Sequence, residues 1–247
     1  MQVWGDKILT LRVIFFVLVV TASLGGQASK TPLTTPDFVG VSVCKGCHED
    51  SFDNWQSSHH DLAMQPATNS SVLGDFDNTS FTQHEVTSVF YKQGDRFFVK
   101  TEGESGELRA FEIGYAFGFY PLQQYLIDFP GGRKQALSIA WDSRPGEEGG
   151  QKWFHLYPDE KIKPGDVLHW TKPSQNWNTM CAECHSMNLQ KNYNADNAAF
   201  DTTWTDIDVS CESCHGPGSS HVNWAKQGPG WDSVEESLGL LLQLDER

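Results

Sequence analysis

Six cysteines occur in the sequence, and all six fall within three copies of one five-residue pattern. The copies are Cys44-Lys45-Gly46-Cys47-His48, Cys181-Ala182-Glu183-Cys184-His185 and Cys211-Glu212-Ser213-Cys214-His215. Two thiols spaced in this way lie about one helical turn apart, so each can add to one of the two vinyl groups of a porphyrin and form a thioether. The histidine that follows then offers its imidazole to the iron as the proximal ligand. The spacing therefore names a covalent cofactor, haem c with its iron, in three copies. Cys44, Cys47, Cys181, Cys184, Cys211 and Cys214 attach it, and His48, His185 and His215 ligate it.

Two other chemistries use the same side chains. The second and third Cys pairs together match the donor set of a tetrahedral four-thiolate zinc site, but this leaves Cys44 and Cys47 alone and all three histidines unexplained. A thioredoxin-like dithiol needs one pair, not three. Haem accounts for every residue of the pattern.

The first residues agree with that reading. Lys7 and Arg12 precede the apolar run from Val13 to Val20, and small residues then lead to Gly26-Gln27-Ala28. This is the layout of a secretory signal peptide over 1–28, with cleavage after Ala28. The uncharged stretch Val13–Gly26 is about 14 residues, short of the roughly 20 that span a bilayer. Bacterial c-type haems are attached after export, so the leader and the motifs predict one destination, periplasmic or extracellular. The whole sequence carries a net charge of −14, and removal of Lys7, Arg12 and Asp6 makes it one unit more acidic. An acidic surface disfavours nucleic acid and anionic lipid as partners. It suits contact with basic faces of redox proteins, and equally suits plain solubility.

A polar tether with Pro32 and Pro36 is expected over 29–38, followed by the cytochrome domain over 39–225 and a C-terminal tail over 226–247. After the first motif, Phe52 and Trp55 lie one turn apart on a short helix. The middle of the domain changes character. Val89-Phe90-Tyr91 and Phe97-Phe98-Val99 flank a turn at Gln93-Gly94-Asp95, and a second turn at 103–107 leads into the alternating run Leu108–Ile113. Tyr125–Phe129 and Ala136–Trp141 flank the turn Pro130–Arg133. The predicted class is α+β: short helices and irregular chain around haems, with a small antiparallel β region at about 85–142 between haem segments 1 and 2. The apolar run Leu238–Leu244 reads either as a terminal helix docked on the core or as the point where a longer chain is cut.

The second axial ligand decides what each iron does. An iron with imidazole on both sides is low-spin and closed, and serves mainly to pass electrons; an open side admits a small molecule. Six histidines remain after the proximal three: His59, His60, His84, His155, His169 and His221. His221 lies only six residues after His215, too short a chain to round the porphyrin edge, so it is expected to serve a neighbouring haem. His60 is expected to do likewise. His155 and His169 compete for the third distal place, His59 and His84 are weaker candidates, and Met64, Met180 and Met187 are thioether alternatives.

Beyond the motifs themselves, the stretches Trp55-x-x-Ser58-x-His60-x-x-Ala63-Met64, Gln175-Asn176-Trp177-Asn178-x-Met180-Cys181 and Val209-Ser210-Cys211 through Cys214-His215-Gly216-Pro217-Gly218-Ser219-x-His221 are telling. With them the chain resembles multihaem cytochromes of the cytochrome c-552/c-554 domain family over most of 39–225. The resemblance implies closely packed, mainly bis-His haems engaged in periplasmic or extracellular electron transfer, and it supports distal roles for His60 and His221. Members of this type are often longer, some fused to tetratricopeptide repeats, so the chain is expected to be the N-terminal part of such a protein.

The expected function is electron transfer by an exported three-haem cytochrome rather than catalysis. Its expected partners are a redox donor and acceptor, with association at a membrane electron-transfer complex. The alternative is a haem redox enzyme acting on a nitrite- or hydroxylamine-type compound through one open-sided iron, with Arg109, Arg133 or His84 as the acid or cation. No motif replaces its proximal histidine by lysine, and nothing in the sequence marks such a site.

Overall fold

In a computed structural model of the chain, residues 35–227 and 238–240 are described. The expected signal peptide, most of the tether and most of the tail lie outside them. From Pro36 onward the chain forms one unit. It opens with two short helices, α1 (Val41–Lys45) and α2 (Glu49–Trp55), then the short strand β1 (Met64–Pro66). The antiparallel sheet follows: β2 (Thr79–Gln83), β3 (Val86–Gln93), β4 (Arg96–Glu102), β5 (Leu108–Phe117), β6 (Leu122–Asp128), β7 (Lys134–Ala136), β8 (Ile139–Asp142) and β9 (Lys152–His155). Then come α3 (Trp177–Met180), α4 (Ala182–His185), a two-stranded ribbon of β10 (Tyr193–Asn194) and β11 (Ala199–Phe200), α5 (Glu212–His215) and α6 (Ser219–Ala225).

The strands run in the order β2-β3-β4-β5-β6-β8-β9, with β1 paired to β5 and β7 to β6. β2 also lies against β9, so the sheet curls towards closure. The sheet is larger than the sequence pattern indicates: nine strands reaching from Met64 to His155 instead of a small region at 85–142. The hairpin expected at Gln93-Gly94-Asp95 is present, with Gln93 opposite Arg96 and Gly94 at φ +62°, a value glycine adopts without steric cost.

Two apolar clusters use the two faces of the sheet. Phe76, Phe90, Phe97, Tyr125 and Trp153 build the first, and the rings of Phe90 and Trp153 stack at 3.6 Å. Met64, Phe117, Leu126, Ala136, Trp177 and Ala182 build the second. Along β6, Tyr125 and Ile127 enter one cluster and Leu126 the other, because successive side chains of a strand point to opposite faces. Trp177 and Ala182 belong to α3 and α4, so the second cluster sets the second cysteine motif against the sheet.

Candidate haem-binding site

Each motif is folded into one helical turn. His48 N–H donates to the Cys44 carbonyl at 3.0 Å, and His215 N–H to the Cys211 carbonyl at 3.1 Å; Cys184 N–H donates to the Cys181 carbonyl at 3.1 Å. Such a turn puts the two cysteines and the histidine of a motif on one side of the chain. In all three motifs the first cysteine is half-buried and the second exposed.

Motifs 1 and 3 are held side by side by two carboxylates. Glu212, buried inside the third motif, accepts the backbone N–H groups of Val39 at 3.0 Å and Gly40 at 2.8 Å, and that of Gly218 at 2.7 Å. Asp206 accepts the Val41 N–H at 2.9 Å and the Ser210 hydroxyl at 2.6 Å. Together they satisfy the amides that open α1, which no intrahelical carbonyl can reach. The thiols of Cys44 and Cys211 interact with each other, which pushes Cys44 up and pulls Cys211 down, and the Cys44 thiol also donates to the Gly40 carbonyl at 3.7 Å. Burial raises Cys181.

The histidines separate by what their Nδ1 atoms meet. His185 Nδ1 lies 3.3 Å from the Ala63 carbonyl and His221 Nδ1 2.9 Å from the Leu238 carbonyl. A carbonyl only accepts, so both imidazoles carry the proton on Nδ1 and leave Nε2 for a metal, the usual support of a ligating histidine. The rings of His48 and His221 lie 6.0 Å apart, centre to centre, at 25°. Two imidazoles bound to one metal from opposite sides, at about 2 Å each, have ring centres about 6 Å apart. His221 thus faces the first motif and not His215, six residues before it. His60 is tied to the entry of the third motif: Val209 N–H donates to its carbonyl at 3.2 Å, and Trp55 Nε1–H donates to the Val209 carbonyl at 2.9 Å. His59 packs against Phe119 and Tyr120, and His185 against Phe117.

His155 and His169 sit elsewhere. They line a cavity with His84 that includes no cysteine or histidine of a motif. His155 Nδ1 accepts the Tyr157 N–H at 3.1 Å, which leaves its proton on Nε2, the reverse of His185 and His221, while His169 Nδ1 meets the Thr171 hydroxyl at 2.8 Å and the Thr171 N–H at 3.4 Å. Burial lowers both from the usual histidine range. Among the thioether candidates, Met64 is buried in the second cluster, Met187 Sδ lies 2.9 Å from the Ser210 hydroxyl oxygen, and Met180 is exposed. Arg109 lies over Phe111, and Arg133 over Phe129 with Glu104 at 3.5 Å.

The residues present fit haem. Large apolar side chains stand exposed beside the motifs: Val43 in α1, Met180 next to Cys181, and Phe119 and Tyr120 against His59. A porphyrin face covers surface of this kind. Trp177 Nε1–H, four residues before Cys181, is buried with no acceptor among the described residues. The positioning roles of Glu212, Asp206 and Asn178 were not read from the sequence. Only a carboxylate between the two cysteines of the third motif hinted at any of them.

The sequence matches the family described as cytochrome c554 and c-prime over residues 43–86 and 151–216. These spans include all three motifs and His60, while His221 and strands β4 to β8 lie outside them. Among solved structures, the crystal structure of outer cell wall cytochrome OcwA is similar, with 17% sequence identity and a TM-score of 0.49. That alignment covers 84% of this chain and 35% of the other, so the chain spans about a third of its length. Comparison with curated proteins returns no significant match. Over these two spans, which hold all three motifs, the chain is a c-type cytochrome of the cytochrome c554 family, and that family implies covalently bound haem c.

Proposed function

We propose that the chain is an exported three-haem electron carrier with mainly bis-His, low-spin irons, working in the periplasm or outside the cell. The observation that carries this reading is the 6.0 Å spacing of the His48 and His221 rings, which suits a shared iron. The bound haem supplies reversible one-electron chemistry. The chain supplies the rest. His48 and His221 would hold one haem iron between them, and His60, whose carbonyl accepts the Val209 N–H, would join His215 at another. His185 would hold the remaining group. Glu212 and Asp206 hold motifs 1 and 3 together, so that electrons pass between neighbouring groups without large movement of the protein. Axial imidazole on both sides implies low potentials. An acidic surface suits basic faces on donor and acceptor proteins. No helix among the described residues is long and apolar enough to cross a membrane, and association with a membrane electron-transfer complex would run through a partner.

The test is ligand-field spectroscopy on exported protein. A pyridine haemochrome assay should return three c-type haems per chain, and electron paramagnetic resonance should show low-spin signals from at least the groups at motifs 1 and 3. Fewer than three haems, or a high-spin centre at motif 1 in the unaltered protein, would refute the proposal.

A further inference from the structure

The ligation proposed above leaves the haem of motif 2 with one axial histidine, His185, and the fold sorts the histidines that could oppose it. The sequence holds nine. Three follow the cysteine pairs, and the surroundings of His60 and His221 tie them to motifs 3 and 1. His84, His155 and His169 line a cavity that includes no motif residue. His59 is the ninth. Methionine offers no substitute among the described residues. Met64 and Met187 are 1% and 2% exposed, and Met180 directly precedes Cys181, too short a chain to round the porphyrin edge.

Placement agrees with the count. Two short segments, 59–63 and 117–120, run side by side, joined where the Gly118 N–H donates to the Ala63 carbonyl at 3.1 Å. His185 meets both. Its Nδ1 lies 3.3 Å from the same Ala63 oxygen, and its ring meets Phe117 edge to face at 5.6 Å. His59 belongs to the first segment and packs on the second, with ring centres 6.3 Å from Phe119 and 6.5 Å from Tyr120. The contacts of the two histidines are therefore two residues apart along 117–120, at most about 7 Å of chain. Along the other segment they are four residues apart, and that stretch is turned rather than extended, since Leu62 N–H donates to the Ser58 carbonyl and Ala63 N–H to that of His60.

The place is also open. His59 is exposed, as are Phe119 at 39% and Tyr120 at 47%. Neither ring nitrogen of His59 has a hydrogen-bond partner among the described residues, so no bond must break before one of them meets iron. Two exposed aromatic rings beside a free imidazole are surface that a porphyrin would cover.

We propose that His59 is the distal axial ligand of the haem at motif 2, with Phe119 and Tyr120 against its porphyrin. The assignment rests on the three-haem reading and fills the place that reading leaves unassigned. It closes the third iron to small molecules. It also gives two consecutive residues, His59 and His60, to two different haems.

The experiment is electron paramagnetic resonance of oxidised holoprotein. Unaltered protein should show three low-spin haems. His59→Ala should turn one of them high-spin, millimolar imidazole should reverse this, and a triple variant with His60→Ala and His221→Ala should show three high-spin centres. His59→Met exchanges imidazole for thioether and should raise one midpoint potential, which keeps the test informative if alanine disturbs packing. In a Cys181→Ser/Cys184→Ser background, which lacks the haem of motif 2, His59→Ala should create no high-spin centre. Three low-spin haems unchanged by His59→Ala, unchanged potentials in His59→Met, a high-spin centre at motif 2 of the unaltered protein, or a new one in the two-haem background would each overturn the assignment while leaving the electron-carrier reading in place. Fewer than three haems in the unaltered protein would overturn that reading, and the assignment with it.

Discussion

Glu212 accepts the backbone N–H of Gly40 at 2.8 Å across a sequence separation of 172 residues. The same buried carboxylate takes the N–H groups of Val39 and Gly218, so one side chain from inside the third motif organises the chain entering the first. Removing it leaves three amides without an acceptor. A hydrogen bond to a charged group contributes about 1.5–3 kcal/mol, and a stranded buried amide costs about 1–3. Glu212→Ala should therefore lower stability by about 3 kcal/mol or more in guanidinium unfolding of the holoprotein. Glu212→Gln, which keeps an acceptor, should lose less. Equal stability of all three proteins would show that the carboxylate does not hold the two motifs together.

His221 lies across from His48, so its loss should be felt at the first motif. His221→Ala is expected to convert one haem from low-spin to high-spin, and millimolar imidazole should restore the low-spin signal by filling the vacated place. His60→Ala should do the same to a different haem. A double variant should then show two high-spin centres, because the proposed ligation gives the two histidines separate irons. Electron paramagnetic resonance reads both effects directly. A single high-spin centre in the double variant would mean that the two side chains act on one iron.

The three cysteine motifs, and the expectation that His221 faces a motif other than its own, could be read from spacing, because one helical turn is a local matter and chain reach is a matter of length. The curled sheet was less legible. Strands β3 to β6 carry alternating apolar residues and recognisable turns, and they lie where the pattern indicated. β2 is hidden because its hairpin turn is His84-Glu85, with neither glycine nor asparagine to announce positive φ. β9 has four residues, Lys152-Trp153-Phe154-His155, too few to establish a period. Position along the chain could not rank His155 and His169 against His60 and His221 as distal candidates. The folded chain places both in a cavity away from the three motifs.

Asp208 gives the protein a built-in pH response. Its Oδ1 is buried without a partner among the described residues, and burial, with Asp206 and Asp61 nearby, raises its carboxyl to about 7 from 3.8. The folded state thus holds this proton more tightly than the unfolded chain, whose carboxyl releases it near pH 4. Between about pH 4 and 7 the native state binds more protons than the unfolded one, so stability falls as pH rises through that window and levels off above it. Denaturation midpoints measured from pH 4 to 8 should show the decline, and Asp208→Asn should flatten it. A decline of the same slope in the variant would assign the response to another group.

Asn178 sets the second motif against the sheet, and its side chain uses all its capacity to do so. Its Oδ1 accepts the Lys134 N–H at 2.8 Å, while its Nδ2 donates to the Gly132 carbonyl at 3.2 Å and to Thr202 Oγ1 at 2.9 Å. The side chain is fully buried, so water cannot replace these bonds. Gly132 itself allows no side chain: it has φ +71°, and a Cβ there would fall 2.0 Å from the Phe200 carbonyl oxygen. The turn before β7, the β10–β11 ribbon and α3 therefore meet at one amide, three residues before Cys181. Asn178→Ala should cost about 2 kcal/mol, the scale of a stranded buried donor and acceptor, and should loosen the turn that presents Cys181 and His185. Asn178→Asp keeps the acceptor but loses both donors and buries a charge, so it should be worse than alanine. Thermal unfolding ranks the variants, and the yield of covalent haem at motif 2, read by peptide mass, reports the positioning. Lower stability with full haem occupancy would limit Asn178 to the fold. Lower occupancy at motif 2 alone would make it the residue that aims the second motif.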